Sequence, residues 1–237
     1  MNLKSINPVT CKLINEYETY SEQKINLIIE DVSIDFSIWK GISFNKRKDF
    51  LLSVANKLKS EINIHSKMIS IEMGKPITES KLEVLKSVWV LEYYAQNAEK
   101  FLKNELIDSD FSESFIQYDP IGIVFGIMPW NFPYWQVFRF IAPSLMAGNV
   151  CILKHASNVS GCALLIEKLI KECCPYPNIF RTLIISSSQV SGVISNNKVK
   201  AVTLTGSEYA GSQVAMKAGQ EIKKTVLELG GSDCFIV

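Results

Sequence analysis

Apolar residues in the first part of the chain recur at steps of three and four, which is the spacing of amphipathic helices. On this basis helices are predicted at 21–39, 43–74 and 76–102. Ser21 is a good N-terminal cap for the first of them, and Gly74 ends the second. The first 105 residues are therefore predicted to be mostly helical.

From residue 113 onward, short apolar runs alternate with helical segments. Strands are predicted at 113–119, 121–128, 149–154, 181–185, 201–205, 224–229 and 234–237, and helices at 133–147, 160–173, 189–195 and 207–219. This alternation is typical of right-handed βαβ units, so we predict an α/β fold with a doubly wound parallel sheet. Ligands of such sheets bind beyond the carboxyl ends of the strands, where the loops 153–157, 203–211 and 227–231 would lie.

The composition and charge of the chain exclude several classes of function. The 237 residues are 47% hydrophobic and 21% charged, which suits a folded chain with a buried core. The chain has 25 basic and 24 acidic residues, so it lacks the excess of positive charge that binding to nucleic acid or an anionic membrane requires. Without an apolar leader, we expect a cytoplasmic protein. Its six cysteines lack metal-ligand spacing, so we expect reduced thiols and no metal.

The segment PWNFP places Asn131 between Pro129 and Pro133, in a stiff turn that joins a strand to a helix. A fixed side-chain amide is a suitable hydrogen-bond donor for an oxyanion. Losing one such donor typically raises a reaction barrier by about 2.7–4 kcal/mol. The alternative is that Asn131 caps the helix that follows.

Glu228 follows a β-rich apolar segment and precedes two glycines. Apolar neighbours raise the pKa of a carboxyl group, which suits a general base near neutral pH. The alternative is an exposed or ion-paired glutamate at a strand end. His65 lies on the apolar face of a predicted helix and is expected to be a hydrogen-bonded core residue rather than a catalyst.

Two other loops carry groups that suit a phosphorylated ligand. In TGSEYAG, the first amides of a helix and the Ser207 hydroxyl could bind a phosphate, while Gly206 and Gly211 allow close approach. The alternative is an ordinary capped turn. Lys154, at the end of a strand, could bind a ribose or phosphate oxygen, or it could simply be solvated.

The order of these segments resembles that of the NAD(P)-dependent aldehyde dehydrogenase superfamily over essentially the whole chain. The motifs that carry the resemblance are INPVT, EMGKP, PWNFP, LKHAS, TGS and LELGG. The surrounding residues are most similar to the succinate-semialdehyde dehydrogenase branch. The resemblance implies an oxidoreductase that oxidises a small aldehyde, succinic semialdehyde in that branch, with NAD or NADP through a hemithioacetal and a thioester.

The resemblance also implies residue roles at the reacting end of the site. Asn131 would hold the aldehyde oxygen, and Glu228 would activate the water that hydrolyses the thioester. Trp130 would line the nicotinamide side. Arg139, eight residues after Asn131, would bind the carboxylate of a semialdehyde substrate, unless it is only a surface arginine.

At the cofactor end, the resemblance implies that Lys154 contacts the adenosine ribose or its 2′-phosphate and that Gly206 and Ser207 face the pyrophosphate. Relatives that prefer NAD often carry a glutamate three residues after that lysine, where this chain has Ser157. Since a carboxylate there would repel a 2′-phosphate, we expect NADP to be tolerated or preferred. At 177–188, serines and an asparagine replace glycines usual in the family, which alters the adenine end.

The resemblance divides the chain into an NAD(P)-binding domain (1–107 and 123–231), part of an oligomerisation arm (108–122) and the truncated start of a catalytic domain (232–237). The family's nucleophilic cysteine lies further downstream, and Cys234 is too close to Glu228 to replace it. Two alternatives stay open. A complementing C-terminal chain or a continuation completes a homo-oligomeric enzyme, or the chain is an inactive remnant that at most binds dinucleotide.

Overall fold

The structure is a computed structural model, and it describes residues 2–232 and 234–236. Its strands are β1 (Asn2–Ile6), β2 (Leu13–Glu18), β3 (Glu105–Leu106), β4 (Phe115–Ile116), β5 (Ile123–Met128), β6 (Val150–His155), β7 (Phe180–Thr182), β8 (Val199–Thr205) and β9 (Lys224–Glu228). Its α-helices are α1 (Glu22–Trp39), α2 (Phe44–Ser60), α3 (Ile62–Met73), α4 (Ile77–Phe101), α5 (Trp135–Met146), α6 (Ser160–Cys173), α7 (Val190–Ser195) and α8 (Glu208–Gln220).

Five strands form one parallel sheet in the order β7-β6-β5-β8-β9. The chain enters the sheet at β5, builds outward through β6 and β7, and then returns to the other side of β5 for β8 and β9. This reversal makes the carboxyl ends of β5 and β8 a topological switch point, which is where open α/β sheets bind ligands. The predicted doubly wound α/β fold is confirmed.

The core lies on both faces of the sheet. Cys151, Ile152 and Leu153 are consecutive residues of β6, so their side chains point alternately to opposite faces, yet all three are fully buried. Helix α1 packs against β5, β6 and β7, whereas α5 and α6 pack against the same strands and against α2–α4. The central strands are therefore covered by helices on both sides.

The first 105 residues are mostly helical, as predicted, but one helix prediction is wrong. The long helix at 43–74 is divided at Glu61, whose backbone (φ −98°, ψ 17°) leaves the helical region between α2 and α3. The first residues, for which the sequence predicted no element, form the antiparallel hairpin β1–β2. Its turn is fixed by the Asn7 side chain, which accepts the backbone N–H groups of Val9 and Thr10, both at 2.9 Å.

Other element boundaries also differ from the predictions. The strand expected at 113–119 is reduced to β4, which pairs with β3 in a short exposed ribbon. The strand expected at 234–237 extends beyond the described residues, and 234–236 carry no strand and are exposed. No helix in the described part of the chain is long and apolar enough to cross a membrane.

Candidate cofactor and active site

Four loops that carry the predicted site residues leave the same edge of the sheet. Met128, the last residue of β5, pairs with His155 of β6, and Thr205 of β8 pairs with Glu228 of β9. The loops 129–133, 156–159, 206–207 and 229–231 therefore start from neighbouring strand ends. The structure brings the predicted residues to one edge, as expected for a parallel sheet.

A cavity of about 760 Å³ opens beside this edge, between the sheet and the helices α7 and α8. Its lining includes Ile127, Lys154, Ser187, Leu204, Tyr209 and Gln213. Apolar atoms supply most of the wall, and two lysines line it: Lys154 at the end of β6, and Lys217, which pairs with Glu221. A cleft of this size that combines apolar walls with polar groups is typical of a small-molecule or cofactor site.

Lys154 is partly buried, and burial lowers the pKa of its ammonium group. Among the residues that the structure describes, no carboxylate pairs with it. Ser157 follows as the exposed first residue of a 3₁₀ turn (Ser157–Val159), outside the cavity lining. The N-terminal hairpin supports this turn, because the buried Ser5 hydroxyl donates to the Asn158 carbonyl at 3.0 Å.

In the loop after β8, Ser207 caps helix α8, and its hydroxyl accepts the backbone N–H of Ala210 at 3.2 Å. The amide of Gly206 donates to the carbonyl of Glu228 at 3.0 Å, which ties this loop to the end of β9. Gly211 is buried, and a Cβ there would lie 2.5 Å from Leu229. The capped turn is thus present, and Gly211 is used for close packing within the chain, whereas a Cβ at Gly206 would lie at an ordinary contact distance of 3.5 Å from Leu204.

Asn131 lies in an exposed loop before α5, and no hydrogen bond from its side chain occurs within the described residues. Capping of α5 by Asn131, the structural alternative, is not observed. The helix begins after Tyr134, and the amides of Tyr134 and Trp135 donate to the buried Glu83 carboxylate at 2.8 and 3.1 Å. The Asn131 amide is therefore available to a ligand, with a rigid helix start beside it.

His155 contacts both ends of the Asn131 loop. Its Nε2 lies 2.9 Å from the Pro133 carbonyl, and its Nδ1 lies 3.1 Å from the Met128 carbonyl at the end of β5 and 2.9 Å from the Ala156 amide. The Ala156 amide also lies 3.0 Å from the Met128 carbonyl. Burial lowers the pKa of His155 to about 4, so the ring is neutral at neutral pH.

The EMGKP segment connects this loop to the one after β6. Glu72 is buried and accepts the amides of Gly161 and Cys162, at 2.9 and 2.8 Å, at the start of α6. Lys75 forms an ion pair with Glu83, and its ammonium group lies 3.8 Å from the centre of the Phe132 ring.

Sequence reasoning did not identify Glu72, Glu83 or His155 as supports of the site. Each has at least one partner that is 22 to 90 positions distant in the chain. Only the EMGKP motif, which is part of the resemblance, marked Glu72 in the sequence. The motif does not indicate which backbone amides Glu72 contacts.

Glu228 and Arg139 form an ion pair across the end of the sheet. The Glu228 side chain is 51% exposed and that of Arg139 33%. The apolar surroundings expected for Glu228 are therefore not observed, because β9 is the sheet edge and its end faces solvent. Arg139 also contacts the Thr205 hydroxyl at 3.4 Å, so α5 is tied to the ends of β8 and β9.

Trp130 is 52% exposed at the start of the Asn131 loop.

His65 is buried and its Nδ1 lies 2.7 Å from the Tyr134 hydroxyl, which confirms the expected core role. Of the cysteines, Cys151, Cys162 and Cys174 are buried, and burial raises the pKa of each thiol. The described residues contain no cluster of metal-ligating side chains.

Comparison with known proteins gives a consistent result. The model of the aldehyde dehydrogenase family matches residues 1–237. A probable succinate-semialdehyde dehydrogenase (NADP(+)) of Synechocystis sp. is 41% identical over 237 residues. Succinate-semialdehyde dehydrogenase (NADP(+)) 1 of Mycobacterium tuberculosis is 41% identical over 240 residues. Each match covers 100% of this chain and 52% of the relative.

A solved structure shows the same fold. Succinic semialdehyde dehydrogenase from Streptococcus pyogenes, in complex with NADP+, superimposes with a TM-score of 0.94 at 33% identity. The superposition covers 98% of this chain and 51% of that chain. The chain therefore spans about half the length of the relatives that it matches.

Proposed function

The chain belongs to the aldehyde dehydrogenase family, and we propose that it supplies the dinucleotide-binding part of an enzyme that oxidises succinic semialdehyde with NADP. The observation that carries the proposal is the convergence of Asn131, Lys154, Arg139 and Glu228 at one edge of the sheet, beside a cavity of about 760 Å³. These are the groups that the proposed reaction needs from this part of the fold.

The residues present fit NADP. Lys154 is a partly buried cation on the cavity wall that has no carboxylate partner within the described residues, so a phosphate could bind it without breaking an ion pair. Ser157 places no negative charge nearby. The Gly206 and Ser207 loop lies at the end of β8, which is separated from β6 by β5, and would face the pyrophosphate. NAD, which lacks the 2′-phosphate, would gain less from Lys154.

Lys154, Gly206 and Ser207 would hold the dinucleotide, which would supply the hydride acceptor for oxidation of the aldehyde carbon. In the proposal, the Asn131 amide donates a hydrogen bond to the aldehyde oxygen and stabilises its negative charge. Glu228 accepts a proton from the water that hydrolyses the acyl intermediate. Arg139 binds the substrate carboxylate, and Trp130 lines the approach to the reacting carbon.

The proposal assigns the nucleophilic thiol to the part of the relatives that this chain does not match. Burial raises the pKa of Cys174 to about 11 and raises those of Cys151 and Cys162 as well, so these thiols are poor nucleophiles at neutral pH. A second chain, or a continuation, that carries the thiol would complete the site.

The proposed domain division remains that of the resemblance. Residues 1–107 and 123–231 would form the NAD(P)-binding domain, and 108–122 would form part of an oligomerisation arm. Residues 232–237 would begin a catalytic domain. The exposed ribbon β3–β4 supports the arm, since Leu106 and Phe111 are 79% and 80% exposed and could be covered by another subunit. A homo-oligomer in the cytoplasm is part of the same proposal.

A second candidate is a protein that binds the dinucleotide without catalysis, and the raised pKa values of the buried thiols of Cys151, Cys162 and Cys174 favour it. Two measurements distinguish the candidates. NADP+ binding is measured by titration calorimetry on the chain and on Lys154→Met, with Lys168→Met as a control on an exposed lysine of α6. NADPH formation is then followed with succinic semialdehyde, with and without the separately produced second half of the Synechocystis relative.

The enzyme proposal expects NADP+ binding that weakens at least tenfold in Lys154→Met but not in Lys168→Met, and turnover only when the second half is added. Binding without turnover in the mixture would support the second candidate. If wild type and Lys154→Met bind NADP+ equally, the assignment of the cofactor site is wrong.

A further inference from the structure

The ion pair between Arg139 and Glu228 joins two groups to which the proposed function gives separate tasks. Arg139 would bind the substrate carboxylate, and Glu228 would act as the base. In the structure each is the partner of the other, with Thr205 as the additional contact of Arg139. The Arg139 guanidinium, which is proposed to bind the substrate carboxylate, therefore already binds the carboxylate of Glu228.

The guanidinium of Arg139 has donors that the protein does not use. Both of its contacts come from Nη2, and within the described residues no acceptor takes the hydrogens of Nε and Nη1. A guanidinium carries five N–H donors, and a carboxylate binds it best through two parallel hydrogen bonds, which pair Nη2 with Nε or with Nη1. Since the Arg139 side chain is 33% exposed, an incoming carboxylate can reach the guanidinium from solvent.

The bond to Glu228 is of the kind that a ligand can displace. The Glu228 side chain is 51% exposed, and solvent and salt weaken ion pairs in such positions. It holds Arg139 through Nη2 alone. A ligand carboxylate that bound bidentately would use Nη2 together with either Nε or Nη1, so it would have to take the place of Glu228. The Thr205 hydroxyl keeps a contact with the guanidinium during such an exchange.

We propose that Arg139 exchanges carboxylates: it holds Glu228 in the free protein, and a ligand that carries a carboxylate takes its place and releases Glu228 toward the Asn131 loop. This inference rests on the proposed function for the identity of the ligand. It adds that the substrate carboxylate frees the base as well as anchoring the substrate. A neutral aldehyde would leave Glu228 paired with Arg139, so Glu228 would be less available to activate water. The enzyme would then favour a semialdehyde in the hydrolytic step as well as in binding.

The exchange is tested on the full chain with succinate, which carries the carboxylate of the proposed substrate, and with succinamide as its neutral analogue. Glutamate is labelled with ¹³C at Cδ, and the Glu228 signal is assigned by its loss in Glu228→Gln. Apparent dissociation constants come from chemical-shift titrations of wild type, Glu228→Gln and Arg139→Leu. Glu30→Gln is the matched control, because the Glu30 side chain is 53% exposed and pairs with Lys198.

The proposal expects succinate, but not succinamide, to move the Glu228 signal of wild type toward its position in Arg139→Leu. Removing the competing carboxylate in Glu228→Gln should tighten succinate binding about twofold to fivefold, whereas Glu30→Gln should leave it unchanged. Succinate binding that needs Arg139 but neither moves Glu228 nor tightens in Glu228→Gln overturns the exchange and leaves the proposed substrate class standing. Succinate binding that is the same in Arg139→Leu overturns the substrate assignment itself.

Discussion

The carboxylate of Glu83, in the first half of α4, accepts the backbone N–H of Tyr134 at 2.8 Å and so begins helix α5 directly after the Asn131 loop. The same oxygen accepts the amide of Trp135, and the other oxygen pairs with Lys75. Because Glu83 is 4% exposed, these contacts are made away from water. A residue of the helical layer thus sets the position of the loop that is proposed to bind the aldehyde.

Glu83→Leu should lower the free energy of unfolding by about 3–5 kcal/mol, because it leaves two helix amides and the Lys75 charge without their buried partner. Glu83→Gln keeps an oxygen for the amides and should cost less than Glu83→Leu. Urea denaturation measures both. Glu79→Gln, at an exposed position of the same helix, should change the value by less than about 0.5 kcal/mol. Equal losses for all three variants would contradict the role of Glu83.

The free energy of unfolding should fall when the pH decreases from 7 to 5, partly through His155. Burial lowers the pKa of His155 to about 4, below the 6.5 of an exposed histidine, so the folded state favours the neutral ring. This stabilisation is complete above pH 6.5 and is lost as the pH falls toward 4. The full difference corresponds to about 3 kcal/mol.

The measurement is urea denaturation of wild type and His155→Gln at pH 7.5, 6.0 and 5.0. The chain has two histidines, and burial also lowers the pKa of His65, so His65→Gln is measured in parallel. Stability of His155→Gln should depend less on pH than that of wild type between pH 6.5 and 5. If the two curves have the same slope, His155 is not buried in its neutral form.

The sequence predicted the sheet because its strands are short apolar runs separated by helices, and that pattern is local. It also located the candidate site, since residues that follow parallel strands must meet at one edge. The buried supports could not be predicted in this way. Glu72 contacts Gly161, 89 positions away, and nothing near a glutamate in a helix indicates which distant amide it will meet. The hairpin β1–β2 was missed because most of its side chains are exposed and lack a clear alternation.

The environment of Glu228 also could not be predicted locally. The residues around it, KTVLEL, are β-prone and fairly apolar, which is typical of an interior strand. Whether such a strand is interior depends on the order of strands in the sheet. In the structure β9 is at the edge, and Arg139, 89 positions earlier in the chain, supplies the partner.

Ser157→Glu should weaken NADP+ binding by about tenfold or more while it leaves NAD+ binding unchanged or tighter. A carboxylate three residues after Lys154 would repel a 2′-phosphate, and like charges in close contact cost several kcal/mol. Titration calorimetry with both dinucleotides gives the ratio of the dissociation constants. Ser157→Gln introduces a side chain of the same size as glutamate without its charge. The ratio of the NADP+ and NAD+ dissociation constants for this variant should stay within about twofold of the wild-type ratio. If both variants lose NADP+ equally, the cause is steric and the charge argument does not hold.

Gly126 in the centre of β5 allows the ring of Phe140 on α5 to lie against the sheet. A Cβ at Gly126 would lie 2.5 Å from Cζ and 2.6 Å from Cε1 of this ring, closer than carbon atoms can approach. Phe140 is buried one residue after Arg139, so a displaced ring would also move the guanidinium that contacts Glu228. Gly126→Ala should therefore lower the free energy of unfolding by about 1–3 kcal/mol.

Three variants separate this clash from a general effect of alanine. Gly192→Ala, in α7, has open space around its Cβ and should be neutral or stabilising by up to about 1 kcal/mol. Phe140→Leu alone should be destabilising through lost packing, but combined with Gly126→Ala it should cost less than the sum of the two changes, because the smaller side chain makes room for the methyl group. Strictly additive losses in urea denaturation would show that the ring does not occupy the space above Gly126, and the approach of α5 to the sheet would then have another cause.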